Sequence, residues 1–123
     1  MSRTILVVDD AAFMRMLLRD ILSAQGYEVH EAVNGRDAVE KFAEVHPDLV
    51  TLDLTMPEMD GLAALARIRE MDPSARVVIV TAQSAPDAVV AAFDAGALDF
   101  ITKPFQPAKL IETVRKCLAS VPR

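Results

Sequence analysis

The segment TLDLTMPEMDG, Thr51 to Gly61, joins the end of an apolar run to the start of a helix. The run Leu49-Val-Thr-Leu52 predicts a strand, and a helical pattern begins after Asp60. Between them, at the tip of the strand, lies a lone carboxylate, Asp53. A strand, a short loop and a helix in this order are typical of one βα unit in a parallel sheet.

The same alternation extends along the whole chain, in which five apolar runs are each followed by a longer helical pattern. The predicted strands are Ile5–Val8, Glu28–Ala32, Leu49–Leu52, Val77–Val80 and Asp99–Thr102. The predicted helices cover roughly 11–23, 35–45, 61–71, 86–95 and 107–119. The first, third and fourth runs are continuous, which is typical of strands covered on both faces. The pattern therefore predicts an α/β, flavodoxin-like, doubly wound fold with five helices and a five-stranded parallel sheet in the order 2-1-3-4-5.

Length and composition narrow the class of protein. The 123 residues fit one domain, and we expect it to span 1–123 with no output domain. The net charge of −5 argues against a nucleic-acid partner, because phosphates require a basic face. The chain shows no signal peptide and no apolar run long enough for a membrane span, and its single cysteine, Cys117, is predicted to pack in the core. We therefore expect a cytoplasmic protein with no membrane partner.

Polar side chains follow four of the predicted strands where each strand ends. Asp9 and Asp10 follow the first strand, Asp53 the third, Thr81 the fourth and Lys103 the fifth. These four strands are neighbours in the order 2-1-3-4-5, and ligands of open parallel sheets bind beyond the carboxyl ends of the strands. The sequence therefore predicts that three carboxylates, a hydroxyl and an ammonium group converge in one shallow pocket.

This set of groups favours phosphoryl-transfer chemistry. Two carboxylates about 4 Å apart repel by roughly 4 kcal/mol at an effective dielectric constant near 20, and a divalent cation relieves that repulsion. Oxygen ligands without histidine or cysteine favour Mg²⁺, which keeps positions open for phosphate oxygens. Asp9 and Asp10 suit the metal, whereas Asp53, alone at the centre of the sheet, is the better candidate to accept phosphate. Lys103 and Thr81 offer a charge and a hydrogen-bond donor to the same phosphate oxygens.

Four motifs together are recognisable: Val7-Val8-Asp9-Asp10, Leu52 to Gly61, Val80-Thr81-Ala82 and Lys103-Pro104-Phe105. In this order and at these spacings the chain resembles, over its whole length, the receiver domain of two-component response regulators, and among them the stand-alone chemotaxis regulators. The resemblance implies that Asp53 is phosphorylated by a histidine kinase in a Mg²⁺-dependent reaction. It also implies that the protein is not an enzyme in the usual sense, because it catalyses only its own phosphorylation and slow dephosphorylation.

The resemblance also implies individual roles. Thr81 and Lys103 grip the phosphoryl group, and Thr81 and Phe100 form a switch in which the aromatic ring moves when Thr81 shifts. Many relatives carry tyrosine at the switch position, and the ring of Phe100 lacks the hydroxyl that would lock it. Thr55 and Gln83 occupy positions that tune hydrolysis of the aspartyl phosphate in the family. The implied metal ligands are Asp9, Asp10, Asp53 and the backbone carbonyl of Thr55, and the implied isomer of the Lys103-Pro104 bond is cis.

A chain without an output domain signals by docking, and we expect a monomer that binds a flagellar motor switch protein or a phosphatase. A phosphorelay intermediate or another stand-alone regulator is the first alternative, and a phosphate-independent interaction domain is the second. An aspartyl phosphatase is disfavoured because Thr55 stands where its general acid would be, and a nucleotide-binding protein because no glycine-rich loop follows the first strand.

Some side chains have competing interpretations. Phe13, Met16 and Ile111 lie off the apolar stripes of their helices, so each is either an incidental surface residue or part of a docking site. Glu58 and Asp60 are predicted to act as helix N-terminal charges rather than as metal ligands.

Overall fold

The computed structural model describes residues 2–56 and 59–120, which form one parallel five-stranded sheet in the order β2-β1-β3-β4-β5. The strands are β1 Thr4–Val8, β2 Glu28–Ala32, β3 Leu49–Leu52, β4 Val77–Thr81 and β5 Asp99–Thr102. The helices are α1 Ala12–Ala24, α2 Gly35–Val45, α3 Gly61–Met71, α4 Pro86–Asp94 and α5 Pro107–Ala119. The predicted fold class and strand order are confirmed, and each element begins and ends within one residue of its predicted bounds.

The sheet separates two apolar cores, and this explains the continuous apolar runs. Ile5 and Val7 pack in the core beneath α1 and α5, whereas Leu6 and Val8 pack in the core beneath α2, α3 and α4. All four side chains are at most 1% exposed. Because successive residues of a strand point to opposite faces, a strand with a core on each face is apolar along most of its length. Thr51 in β3 is a buried polar exception.

Side-chain caps fix the starts of two helices. Asn34 Oδ1 accepts a 2.8 Å hydrogen bond from the Asp37 amide at the start of α2, and Asp60 Oδ1 accepts a 2.9 Å bond from the Ala63 amide at the start of α3. Such caps typically contribute about 1 kcal/mol. The predicted helix-terminal role of Asp60 is therefore confirmed, while Glu58 and its neighbour Pro57 lie outside the described residues.

Large apolar side chains are exposed on both α1 and α4. Phe13 is 68% exposed and Met16 53% exposed, as their positions off the apolar stripe predict, whereas Ile111 is partly buried. Cys117 of α5 is buried in the core, as predicted. No helix in the described part of the chain combines the length and the apolar character that crossing a membrane requires.

Candidate functional site

The carboxyl ends of β1, β3, β4 and β5 bring the predicted side chains together at one edge of the sheet. Asp9 directly follows β1, Asp53 directly follows β3, Thr81 is the last residue of β4 and Lys103 directly follows β5. Because these strands are hydrogen-bonded neighbours, four separated segments of chain contribute to one pocket. The structure thus brings these four side chains together at one edge of the sheet, as the strand order predicts.

Three carboxylates form an oxygen-only cluster in this pocket. Asp9, Asp10 and Asp53 each offer an oxygen, and these oxygens lie within 4.8 Å of one another. Asp9 is 1% exposed and Asp53 is 6% exposed, whereas Asp10 lies open to solvent. The donor set fits Mg²⁺, since few carboxylates on one open side leave room for water and for phosphate oxygens. Histidine and cysteine, which favour zinc, are absent from the cluster.

Lys103 lies between two of the acids. Its Nζ is 2.6 Å from Asp9 Oδ2 and 3.1 Å from Asp53 Oδ2. Burial by itself lowers the pKa of the Lys103 ammonium, but the hydrogen bonds to Asp9 and Asp53 and the charges of both acids outweigh burial and raise the pKa above its ordinary value. The ammonium group therefore stays charged at neutral pH and offsets part of the repulsion among the carboxylates.

Both carboxylate oxygens of Asp53 accept hydrogen bonds. Oδ1 accepts from the Thr81 hydroxyl at 2.6 Å and from the Thr55 amide at 3.2 Å, while Oδ2 accepts from Lys103. Thr81 itself is fully buried. These contacts fix the orientation of the carboxylate, so its oxygens face the pocket in a defined direction before any ligand arrives.

The loop after β3 approaches α3 so closely that only glycine fits at the start of the helix. The Gly61 amide donates to the Leu54 carbonyl at 3.0 Å. A Cβ at Gly61 would overlap the Asp53 carbonyl oxygen and lie 2.5 Å from Leu54 Cα. The glycine at the end of the motif therefore allows the backbone of Asp53 to rest against α3.

Thr55 and Gln83 meet at the mouth of the pocket. The Thr55 hydroxyl donates to Gln83 Oε1 at 3.2 Å, and the Gln83 amide donates to the Thr81 hydroxyl oxygen at 3.3 Å. Thr55 thus contacts the site through its amide and its hydroxyl. The predicted role of its backbone carbonyl as a metal ligand stays a prediction.

An arginine that the sequence reasoning missed supports the loop that carries the acids. Arg15 Nη1 donates to the Asp9 backbone carbonyl at 2.8 Å, and Arg15 Nε pairs with Glu31 at 3.2 Å. Arg19 pairs with the second oxygen of Glu31 at 2.7 Å. The position of Arg15, one turn into the helix that follows the acids, could have indicated a supporting role. Its partner Glu31 could not be predicted, because the contact depends on the pairing of β1 with β2, in which Val7 lies opposite Glu31.

The predicted switch residue lies on β5, beside the pocket. Phe100 is partly buried, packs against the core beneath α4 and lies opposite Ile79 of β4. The Lys103–Pro104 peptide bond is cis, as the resemblance implies. Phe105 packs against the other core, beneath α5. The movement predicted for Phe100 stays a prediction.

Comparison with known proteins identifies one family. The response regulator receiver domain matches residues 5–115. The chain is 51% identical over 117 residues to chemotaxis protein CheY of Thermotoga maritima, covering 94% of this chain and 98% of that protein. It is 52% identical over 119 residues to chemotaxis protein CheY of Bacillus subtilis, covering 96% and 99%. A CheX–CheY complex from Borrelia burgdorferi with BeF₃ and Mg²⁺ contains a similar fold, with a TM-score of 0.92, 35% identity, and coverage of 96% of this chain and 90% of that one.

Proposed function

The chain belongs to the response regulator receiver family, and from that premise we propose that it is a single-domain response regulator phosphorylated on Asp53. The observation that best supports this proposal is the environment of Asp53. Its carboxylate is 6% exposed, is oriented by three hydrogen-bond donors and has oxygens of two further acids within 4.8 Å. Receiver domains are signalling proteins rather than classical enzymes, so the chemistry proposed here is the modification of the chain itself.

In the proposed step, an oxygen of Asp53 attacks the phosphorus of a phosphohistidine on a histidine kinase. A phosphorus–oxygen bond forms, the phosphorus–nitrogen bond breaks, and the electron pair leaves with the imidazole, which regains a proton. Bound Mg²⁺, with ligands from Asp9, Asp10, Asp53 and the Thr55 carbonyl, would neutralise charge on the phosphoryl oxygens. Lys103 is already paired with Asp53 and needs only a small movement to contact an oxygen of the arriving group.

The same contacts support a switch. Phosphorylation adds a charge of about −2 and new acceptor oxygens, so the Thr81 hydroxyl exchanges its carboxylate partner for a phosphoryl oxygen. A shift of Thr81 toward the phosphoryl group changes the space beside Phe100 on the neighbouring strand. A shift in population from 1:99 to 99:1 requires about 5.5 kcal/mol, and charge-assisted hydrogen bonds are the interactions strong enough to contribute to it.

The output we propose is docking in chemotaxis. Several of the most similar relatives are chemotaxis proteins, and the match covers 98% and 99% of two of them, which supports a role in chemotaxis for this receiver domain. The partner we favour is a motor switch protein, with a phosphatase as the second. A CheY of Borrelia burgdorferi forms a complex with CheX, which supports docking of a receiver domain to a partner protein. A phosphorelay intermediate is the alternative. It would pass the phosphoryl group from Asp53 to a histidine of a second protein, and transfer from the purified phosphoprotein distinguishes the two.

The test is incubation with acetyl phosphate and Mg²⁺, followed by intact mass over time. We expect one added phosphoryl group in the wild type, none in Asp53→Asn and none under chelation. Asp60→Asn is the matched control, because Asp60 lies on the same loop and caps α3 without reaching the cluster. An adduct that survives Asp53→Asn would refute the assignment. The absence of any adduct, together with no binding of beryllofluoride, would favour a phosphate-independent docking domain.

A further inference from the structure

A second concave site lies at the opposite end of the sheet from the acids. It is an open cleft of about 900 Å³ at the amino ends of β4 and β5. The side chains that matter most in its lining are Arg69, Arg76, Lys116, Asp99 and Phe93. Its size is in the range of small-molecule binding sites in proteins. None of the site residues described above lines it.

The charges of the cleft are opposite to those of the whole chain. Three cationic side chains face one carboxylate there, although the net charge of the protein is −5. The Asp99 carboxylate accepts a 2.8 Å hydrogen bond from the Phe100 amide, and no ion pair links it to the three cations in residues 2–56 and 59–120. A local excess of positive charge attracts anions.

The arginines in the cleft retain unused donors. Arg69 Nη1 donates to the Ala75 carbonyl at 3.3 Å, and Arg76 Nη2 donates to the Ser120 carbonyl at 3.0 Å. A guanidinium group has five N–H donors. Arg76 Nε is buried and has no hydrogen-bond partner in the described part of the chain. A buried donor without an acceptor is unfavourable, so acceptors of the described chain do not saturate the guanidinium group of Arg76.

The shape of the cleft also depends on a glycine and an aromatic ring. Gly96, with a φ of 109°, lies against Arg69, and a Cβ there would be 2.5 Å from Arg69 Nε and 3.1 Å from its Cζ. The missing side chain lets the guanidinium group lie against the α4–β5 turn. Phe93 lines the same cleft and is 44% exposed, so a planar group has a ring face on which to stack.

We propose that this cleft binds a nucleotide-sized phosphorylated molecule. Arg69, Arg76 and Lys116 contact the phosphates, since guanidinium groups match phosphate geometry and lysine adds a point charge. Phe93 stacks on the base. A nucleic-acid polymer is disfavoured because the positive charge is confined to one cleft of an acidic chain.

Calorimetric titration with ADP and with pyrophosphate, in the presence of a chelator, tests the proposal. We expect one molecule of either ligand per chain, and unchanged affinity in Asp53→Asn, because without metal the acid cluster repels phosphates. Lys116→Gln weakens both ligands roughly tenfold or more, and it breaks no hydrogen bond within the described chain. Arg76→Gln also weakens the binding of both ligands. Phe93→Ala weakens the binding of ADP more than that of pyrophosphate.

Arg115→Gln is the matched control, since Arg115 is exposed on the same helix but does not line the cleft. Its affinity for ADP should equal that of the wild type. No binding at millimolar ligand, or an equal loss in Lys116→Gln and Arg115→Gln, would overturn the proposal. Loss of binding in Asp53→Asn would place the ligand at the acid cluster instead and would also overturn it.

Discussion

The Thr81 hydroxyl donates a 2.6 Å hydrogen bond to Oδ1 of Asp53 in the unphosphorylated chain. Thr81 is the last residue of β4, and Asp53 directly follows β3, so the bond joins the tips of two neighbouring strands. The hydroxyl is fully buried and has no other acceptor among the described residues. The proposed switch therefore starts from a defined contact. The Thr81 hydroxyl is already desolvated, so it only exchanges Asp53 for a phosphoryl oxygen as its acceptor.

Replacing Thr81 should slow phosphorylation more than it alters the fold. Thr81→Ala removes the donor to Asp53, and a hydrogen bond to a charged group contributes about 1.5–3 kcal/mol. We expect the initial rate of phosphorylation by acetyl phosphate to fall roughly tenfold to a hundredfold, at 1.4 kcal/mol for each factor of ten. Thr81→Ser keeps the hydroxyl and should restore most of the rate. An unchanged rate in Thr81→Ala would mean that the bond does not orient the carboxylate for reaction.

Removing Lys103 should change metal binding and phosphorylation in opposite directions. Its ammonium group occupies oxygens of Asp9 and Asp53 that a metal ion also needs. Lys103→Met should therefore tighten Mg²⁺ binding on the order of tenfold, since a competing positive charge is gone. The same variant should phosphorylate at least tenfold more slowly, because the contact to the phosphoryl oxygens is lost.

Mg²⁺ affinity is measured by calorimetric titration and phosphorylation by intact mass. Lys109→Met is the matched control, because Lys109 is exposed on α5 and makes no ion pair in the described chain. Both of its values should equal those of the wild type. Weaker Mg²⁺ binding in Lys103→Met would show that the lysine organises the acids rather than competing for them.

Alkaline pH should destabilise the wild type through Lys103. The pKa of Lys103 is raised above its ordinary value of 10.5 by Asp9 and Asp53, despite the opposing effect of burial. A raised pKa in the folded state means that its contribution to stability is fully present below pH 10.5 and is lost as pH rises through the folded-state pKa. Urea unfolding from neutral to alkaline pH should show this loss in the wild type and in Lys109→Met. In Lys103→Met the free energy of unfolding should fall less steeply with rising pH. An equally steep fall in all three proteins would contradict the pairing of Lys103 with Asp9 and Asp53.

The fold was predictable because burial on two faces leaves few alternatives. A continuous apolar run such as Ile5–Val8 is typical of a strand covered on both sides, and five alternating strand–helix units match the doubly wound order 2-1-3-4-5. From that order alone the sequence predicts that Asp9, Asp53 and Lys103 meet, because their positions at strand tips do not depend on side-chain conformation.

Distances within the pocket were not predictable in the same way. Lys103 lies closer to Asp9 than to Asp53, and this depends on differences of half an ångström that no periodicity encodes. The pairing of Arg15 with Glu31 depends on the register of β1 with β2. The cleft was not predicted because its three cations come from distant parts of the chain: one from α3, one from the residue before β4 and one from α5.

A methyl group at Gly61 should impair both stability and phosphorylation. Gly61→Ala places a Cβ against the backbone of Asp53 and Leu54, where no flexible side chain can give way. Such overpacking typically costs about 1–3 kcal/mol, and relieving it moves the backbone of the phosphorylated residue. Gly26→Ala is the control, since its φ of 90° disfavours alanine but nothing lies within 4 Å of the added Cβ. Both variants should be less stable in urea, and only Gly61→Ala should phosphorylate more slowly per folded molecule.

The thiol of Cys117 should be unreactive in the folded protein. Burial raises the pKa of this thiol above its ordinary value of 9.0, and the charge of Asp99 raises it further, against smaller opposing effects of Lys116 and Arg76. The thiolate is the reactive form. We therefore expect the rate of alkylation by a small thiol reagent to rise only at a pH above 9.0 in the native state, and near 9.0 in denaturant. Asp99→Asn keeps an acceptor for the Phe100 amide but removes the charge, and it should move the native inflection toward lower pH. An inflection that stays in place would assign the whole shift to burial.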